Sequence, residues 1–150
     1  MYIKSCDLEN LPALSLIYDE YRVHFEQISD LLASEQFLKD RLGKAQAVIF
    51  AAFDESSDEI MGFTLLYPGF SSLKLNATWT LNDMYIREKY RKFGVATRLL
   101  QRVKEFGDET GASWVSLKTG SENTKAQALY LKFGFEKDES CFYYYLKMQN

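Results

Sequence analysis

The sequence predicts an α/β chain: a mixed sheet with helices on both faces. Three observations carry this. Runs rich in β-branched and aromatic residues recur along the 150 residues, as strands require. Other segments repeat their apolar residues every three or four positions, as amphipathic helices do. Gly, Pro, Asn and Asp stand where one kind of segment gives way to the next. The predicted order is strand, two helices, three strands, helix, strand, helix, strand.

"MYIKSC" alternates and reads as the first strand. Asp7 can cap a helix reaching Tyr21, with Leu11, Leu14, Ile17, Tyr18 and Tyr21 at helical spacing. A second helix fits Ser29 to Leu42, carrying Leu31, Leu32, Phe37 and Leu38 and closed by Gly43. The "YRVHFEQI" segment between them mixes polar and aromatic groups and suits a substrate wall built from Tyr21, His24 and Glu26. "QAVIFAAFDESSDEIMGFTLLYP" reads as two strands joined by an acidic turn at 54–59, the second ending at Pro68-Gly69. "GFSSLKL" then leads into the next strand as a loop or hairpin.

That strand, "ATWTLNDMYI", holds an irregularity. Trp79 and Leu81 share one parity, Met84 and Ile86 the other, so the phase slips at Asn82-Asp83. One extra residue, a β-bulge, produces this slip and leaves backbone groups unpaired by the ladder. The alternative is that Leu81 and Tyr85 share a face and nothing slips. After "EKYRKFG" comes the clearest helix, with Val95, Leu99, Val103 and Phe106 as its stripe and Gly111 beyond its end. "SWVSLK" is a strand. "SENTKAQALYLKFGF" is a helix capped by Asn123, with Ala126, Leu129, Tyr130 and Phe133 as its buried stripe, Gly134 at the left-handed C-terminal position and Phe135 after it. "CFYYYLKM" reads as the last strand.

Composition narrows the function. A chain of this length with 47% hydrophobic residues builds a real core in one domain, residues 1–150. Two distant cysteines and a single histidine, His24, offer no metal spacing and no Ser-His-Asp partner set. No basic-then-apolar leader and no membrane-length apolar run occurs, so a cytoplasmic protein is expected. Residues 1–90 carry 14 acids and 8 bases, and residues 91–150 carry 7 acids and 10 bases. This is either scatter over solvated faces or a cationic substrate early and an anionic ligand late. The overall net charge of −3 disfavours nucleic acid.

The anion has a place to bind. A helix N-terminus offers free N–H groups and the positive end of its dipole. Gly94 lets backbone approach a ligand, and Lys89, Arg91 and Lys92 add charge, which suits a phosphate or pyrophosphate. Alone, such a turn is more often only a solubilising corner. Neither the G-x-x-x-x-G-K-[ST] nor the G-x-G-x-x-G pattern is present.

At this point the sequence resembles the GNAT superfamily of N-acetyltransferases. The family's R/Q-x-x-G-x-G/A motif is matched by Arg91-Lys92-Phe93-Gly94-Val95-Ala96, with Lys92 standing where many members have glycine. Its acidic residue before an L-Y-V-like triplet is matched by Asp83-Met84-Tyr85-Ile86. Its N-x-x-A-x-x-x-Y-x-x-x-G-F pattern is matched by Asn123, Ala126, Tyr130, Gly134 and Phe135. The resemblance is specific over residues 76–148 and rests on element order before that.

The resemblance implies a central, mostly antiparallel sheet splayed between strands 4 and 5. Residues 1–75 would face the substrate and 76–150 would bind acetyl-CoA, with no metal. It places the pyrophosphate on the N–H groups from Phe93 to Thr97, flanked by Arg91 and Lys92, and the pantetheine along Met84, Tyr85 and Ile86, with Asn123 and Tyr130 completing the cosubstrate site. A bulge N–H near Met84 or Tyr85 would polarise the thioester. Tyr130 would protonate the leaving thiolate, against the plain alternative of a core tyrosine. Asp83 would take the amine's proton, with Glu20, His24 and Glu26 as rivals and a bulge-stabilising role as the alternative. The expected reaction is direct transfer of acetyl from acetyl-CoA to a primary amine, a cationic small molecule or a lysine side chain, in a ternary complex. A non-catalytic acyl-CoA sensor on the same fold is the competing reading. A homodimer through the aromatic tail is the expected assembly.

Overall fold

The computed structural model describes all of residues 1–150 and divides them into two compact units, 1–118 and 119–150. The first unit holds a five-stranded sheet in the order β1 (Tyr2–Ser5), β2 (Val48–Phe53), β3 (Ile60–Ser71), β4 (Asn76–Ile86), β5 (Val115–Ser116). The first four strands pair antiparallel, and β4 and β5 pair parallel. Helices α1 (Leu11–His24) and α2 (Leu31–Gly43) precede β2, and α3 (Val95–Glu109) links β4 to β5. The sheet is therefore mixed and mostly antiparallel, as predicted.

Strand periodicity sends alternate residues to opposite faces. Ile49, Ala51 and Phe53 join Leu11, Leu14, Ile17 and Leu38 in one core under α1 and α2. Phe50, of opposite parity, meets Phe106 of α3 edge-on at 5.3 Å. Helices thus cover both faces. Val95, Leu99, Leu100 and Val103 of α3 are buried, each contributing about 1.5–3 kcal/mol by leaving water.

Several boundaries differ from expectation. Asp7 caps a short 3-10 turn, Leu8–Asn10, and α1 then runs on to His24, taking part of the expected loop into the helix. Asp30 caps α2 through Ala33 N–H, and Gly43 is its last helical residue, while the left-handed backbone falls at Ala45. Leu32 is 82% exposed and is not a core residue. Pro68-Gly69 does not end β3, which continues to Ser71. Pro68 pairs with Trp79 and Gly69 with Thr78 in the hairpin with β4. Strand β5 is two residues long, because its parallel ladder stops at Ser116 opposite Thr80.

The second unit contains α4 (Thr124–Phe133). Asn123 Oδ1 accepts from Ala126 N–H, as predicted. Gly134 has φ +123, and the N–H groups of Gly134 and Phe135 both return to Tyr130 O, closing the helix C-terminus. Phe135 lies against Tyr130, ring centroids 5.7 Å apart. The predicted stripe of Ala126, Leu129, Tyr130 and Phe133 is the less exposed side, but it is half-buried rather than buried. The expected last strand is corrected: residues 141–148 form no strand, and Phe142, Tyr144 and Leu146 are 83%, 91% and 88% exposed. Aromatic residues raise strand propensity only where a neighbouring strand supplies the ladder.

Candidate active site

The phase slip in β4 is real. Leu65 pairs with Asp83 and Leu66 with Leu81, so Asn82 is the extra residue of a bulge. The slip turns Asp83 and Tyr85 toward the α1 face, where both meet Tyr21. Gly62 lets β3 run close beside the end of β4. A Cβ there would lie 2.5 Å from Ile86 Cδ1 and 2.8 Å from Tyr85 O.

Beyond Thr80 the ladder with β5 ends, while β4 continues to Ile86 paired only with β3. Strands 4 and 5 thus splay, and one edge of residues 81–86 faces no strand. Met84, Tyr85 and Ile86 are half-buried along it. An unpaired edge of this kind accepts an extended ligand through main-chain hydrogen bonds.

The chain then turns into α3. Lys92 and Gly94 both have positive φ, +69 and +79. No side chain caps the helix, and a Cβ at Gly94 would meet open space. Arg98 N–H is bonded to Gly94 O, so the N–H groups of Val95, Ala96 and Thr97 are those the helix leaves without an internal acceptor. Lys92 and Phe93 are exposed beside them. The N–H row, the dipole and the open approach at Gly94 fit a pyrophosphate.

The cations at this turn are not equivalent. Lys89 is tied to Glu59 at 2.7 Å and is not part of the anion site. Arg91 donates through Nε to Ile86 O at 2.9 Å, and its guanidinium lies 5.6 Å from the centre of the Tyr85 ring. It braces the end of β4 while bringing positive charge to it.

Asp83 is the chemically unusual group. It is 6% exposed. Oδ1 accepts from Tyr21 Oη at 2.5 Å and from Asn82 Nδ2 at 3.2 Å. Oδ2 is buried and has no hydrogen-bond partner. Burial pushes the carboxyl above its ordinary range, and the bonds from Tyr21 and Asn82 oppose the shift. Tyr21 is itself held protonated well above the usual phenol range, by burial first and then by the Asp83 bond. It is therefore a fixed donor.

Around this pair the rings of Tyr21, Phe25, His24 and Tyr85 form a closed cycle, with successive centroids 5.1, 5.0, 5.5 and 6.0 Å apart. The predicted wall residues Tyr21 and His24 belong to it. Glu26, the third, follows at positive φ on the exposed turn after α1. Phe25 and Asn82 were missed as site residues. The spacing of Tyr18, Tyr21 and Phe25 along one helix face was the available signal for Phe25, and the slip at Asn82 for the other. Glu20 is occupied: Arg87 grips both its oxygens at 2.9 Å and also reaches Glu59. In the second unit, Asn123 serves as the α4 cap, and burial raises the Tyr130 phenol above its ordinary value.

A bulged and splayed fourth strand leading into an uncapped, glycine-entered helix defines a class of acyl-transfer folds. Residues 11–135 match the Acetyltransferase (GNAT) family, and the chain belongs to it. Over 148 residues, 99% of this chain and 98% of the other, it is 35% identical to the uncharacterized N-acetyltransferase YhfO of Bacillus subtilis (strain 168). It is 31% identical over 88 residues, 59% of this chain and 55% of the other, to the D-amino-acid N-acetyltransferase HPA3 of Saccharomyces cerevisiae. The crystal structure of a probable acetyltransferase superposes with TM-score 0.95 at 36% identity, covering 100% of this chain and 99% of that one. The protein is an acetyltransferase of a family whose cosubstrate is acetyl-CoA. No helix is long and apolar enough to cross a membrane.

Proposed function

We propose that the protein transfers acetyl from acetyl-CoA to the nitrogen of a primary amine, by direct attack in a ternary complex, with all of residues 1–150 serving this one activity. The observation that carries the mechanism is the buried Asp83 with its unpartnered oxygen, set beside a bulge on a strand edge. The N–H groups of Val95 to Thr97, with Lys92 and Arg91, hold the pyrophosphate. The Phe93 amide and the Ala96 backbone line the same turn. The free edge at Met84, Tyr85 and Ile86 orients the pantetheine, and a main-chain N–H at Met84 or Tyr85, just past the bulge, faces the thioester oxygen, where negative charge grows. Asn123 caps α4, the helix that carries Tyr130.

The amine reaches Asp83 as an ammonium and gives it a proton. Burial makes this carboxylate a stronger acceptor than an exposed one. The neutral nitrogen then bonds to the acetyl carbon, and the carbon–sulfur bond breaks as Tyr130 gives its phenolic proton to the sulfur. The second proton that the acylated nitrogen still carries returns through solvent to restore the Tyr130 phenol, and Asp83 releases the first to solvent. HPA3, as a D-amino-acid N-acetyltransferase, supports a small-molecule acceptor over a protein lysine. The unpartnered Asp83 carboxylate oxygen supports an acceptor that arrives as a cation, an ammonium group. The exposed aromatic tail at 141–148 supports a homodimer.

The test is amine-dependent thiol release from acetyl-CoA, followed on the native chain and on Asp83→Asn. Transfer that depends on both acetyl-CoA and amine is expected. A chain that binds acetyl-CoA but releases no thiol with any primary amine is instead the sensor module.

A further inference from the structure

The acidic excess of the front half suggests a polycationic acceptor, but several of those acids are engaged elsewhere. Glu20 and Glu59 are closed by Arg87 and Lys89. Asp19 accepts from Ser29 Oγ at 2.5 Å and from Asp30 N–H at 2.8 Å, fastening the start of α2. Asp54 accepts from Ser56 N–H and Oγ in the β2–β3 turn. None of these is free to meet a second or third ammonium. Beside the bulge stands one buried carboxylate oxygen on Asp83, whose other oxygen is held by the Tyr21 of the aromatic cycle, and Glu26 is exposed on the turn that follows Phe25.

The rings define the rest of the acceptor. Phe25 is 52% exposed and His24 is exposed, while Tyr21 and Tyr85 are half-buried. The Phe25 and His24 side of the cycle therefore presents an accessible aromatic surface next to the Tyr21 that is bonded to Asp83. Such a surface attracts one ammonium through its ring faces and takes up apolar area from the rest of the molecule. Arg91, 5.6 Å from the Tyr85 ring centre, adds a fixed positive charge at its border.

We infer that the acceptor is a primary monoamine carried on an aromatic or extended apolar body, selected by Tyr21, His24, Phe25 and Tyr85 beside the free oxygen of Asp83, in preference to polyamines and aminoglycosides. This rests on the acetyltransferase reading above. Tyr21 is a positioning residue: by donating to Oδ1 it fixes the carboxylate so that Oδ2 is the oxygen offered to the amine.

The experiment measures kcat/KM at saturating acetyl-CoA for 2-phenylethylamine and for spermidine, on the native chain, Phe25→Ala and Tyr21→Phe, with thermal melts in parallel. Phenylethylamine should be preferred by about tenfold or more, the scale of one well-placed apolar contact. Phe25→Ala should erase that preference through KM, with an unchanged melt, since the side chain is half in water. Tyr21→Phe should lower kcat and move the acidic limb of the pH–rate profile upward, because Asp83 loses a hydrogen bond that favours its charged form. Spermidine turned over as well as phenylethylamine, or a preference that survives Phe25→Ala, overturns the acceptor class. So does no turnover of phenylethylamine by a protein whose melting temperature acetyl-CoA raises. No turnover and no such rise overturns the acetyltransferase reading with it.

Discussion

Asp83 and Tyr130 are where catalytic and structural roles forecast different outcomes. Burial holds the Asp83 carboxyl above its ordinary range, so the folded state binds its proton more tightly than the unfolded chain does. The resulting stability is fully present below the unfolded carboxylate's pKa and is lost as pH rises through the raised folded value. Above that raised value the ionised side chain is therefore a cost that Asp83→Asn removes, while an amide oxygen can still accept from Tyr21. The expected result is a melting temperature at neutral pH no lower than native, a flatter dependence of stability on pH, and kcat lower by about 10²–10⁴-fold. A bulge-stabilising role predicts the reverse, a lower melt with activity kept. Tyr130→Phe removes one oxygen and leaves the ring against Phe135. As the sulfur's proton donor it should lose about 10²-fold in kcat and in kcat/KM alike, with its melt unchanged. Equal kcat in the variant removes it from the mechanism. The bulge was legible because parity is a hard rule of strands: Leu81 and Met84 cannot share a face without an extra residue between them. The Tyr21–Asp83 bond was not legible, since the two are 62 positions apart and no local pattern encodes which helix residue lands above which strand residue.

At the scale of elements, the turn into α3 carries the sharpest forecast. Gly94 has φ +79 and open space where a Cβ would sit. Gly94→Ala should therefore cost stability only through the left-handed backbone, about 1–2 kcal/mol. Gly94→Asp adds a negative charge at the N–H row and should abolish acetyl-CoA binding by calorimetry, at a melting temperature close to that of Gly94→Ala. Equal affinity in the two variants would move the pyrophosphate elsewhere. This helix was legible because its polar and apolar faces separate cleanly from Val95 to Val103. The end of β3 was not. Pro68-Gly69 reads as punctuation, yet proline is tolerated where its missing N–H is not needed by the ladder, and the hairpin runs three residues past it to Ser71. The last strand failed for a related reason. "CFYYYLKM" has the composition of a strand, but a strand also needs a neighbour, and composition does not say whether one is present.

At the scale of the whole molecule, acetyl-CoA should raise the melting temperature by mass action, by about 2.7 kcal/mol of added stability at one hundred times its dissociation constant. The exposed apolar side chains of Phe142, Tyr144 and Leu146 make the tail the place to test assembly. Tyr144→Asp combined with Leu146→Asp should convert a dimer to a monomer in sedimentation equilibrium, and an unchanged mass would locate the interface elsewhere. The acidic balance of the front half was legible as a number but misleading as a site, because ion pairs such as Glu20–Arg87 consume charge that a sequence count leaves free. Acetyl transfer itself has the most direct test: native chain, acetyl-CoA and a panel of primary monoamines, with released thiol and acetylated amine measured together. The two products should appear in equal amounts and only when amine, acetyl-CoA and an intact Asp83 are all present. Thiol release that is indifferent to amine, or none at all from a folded chain, would contradict the account.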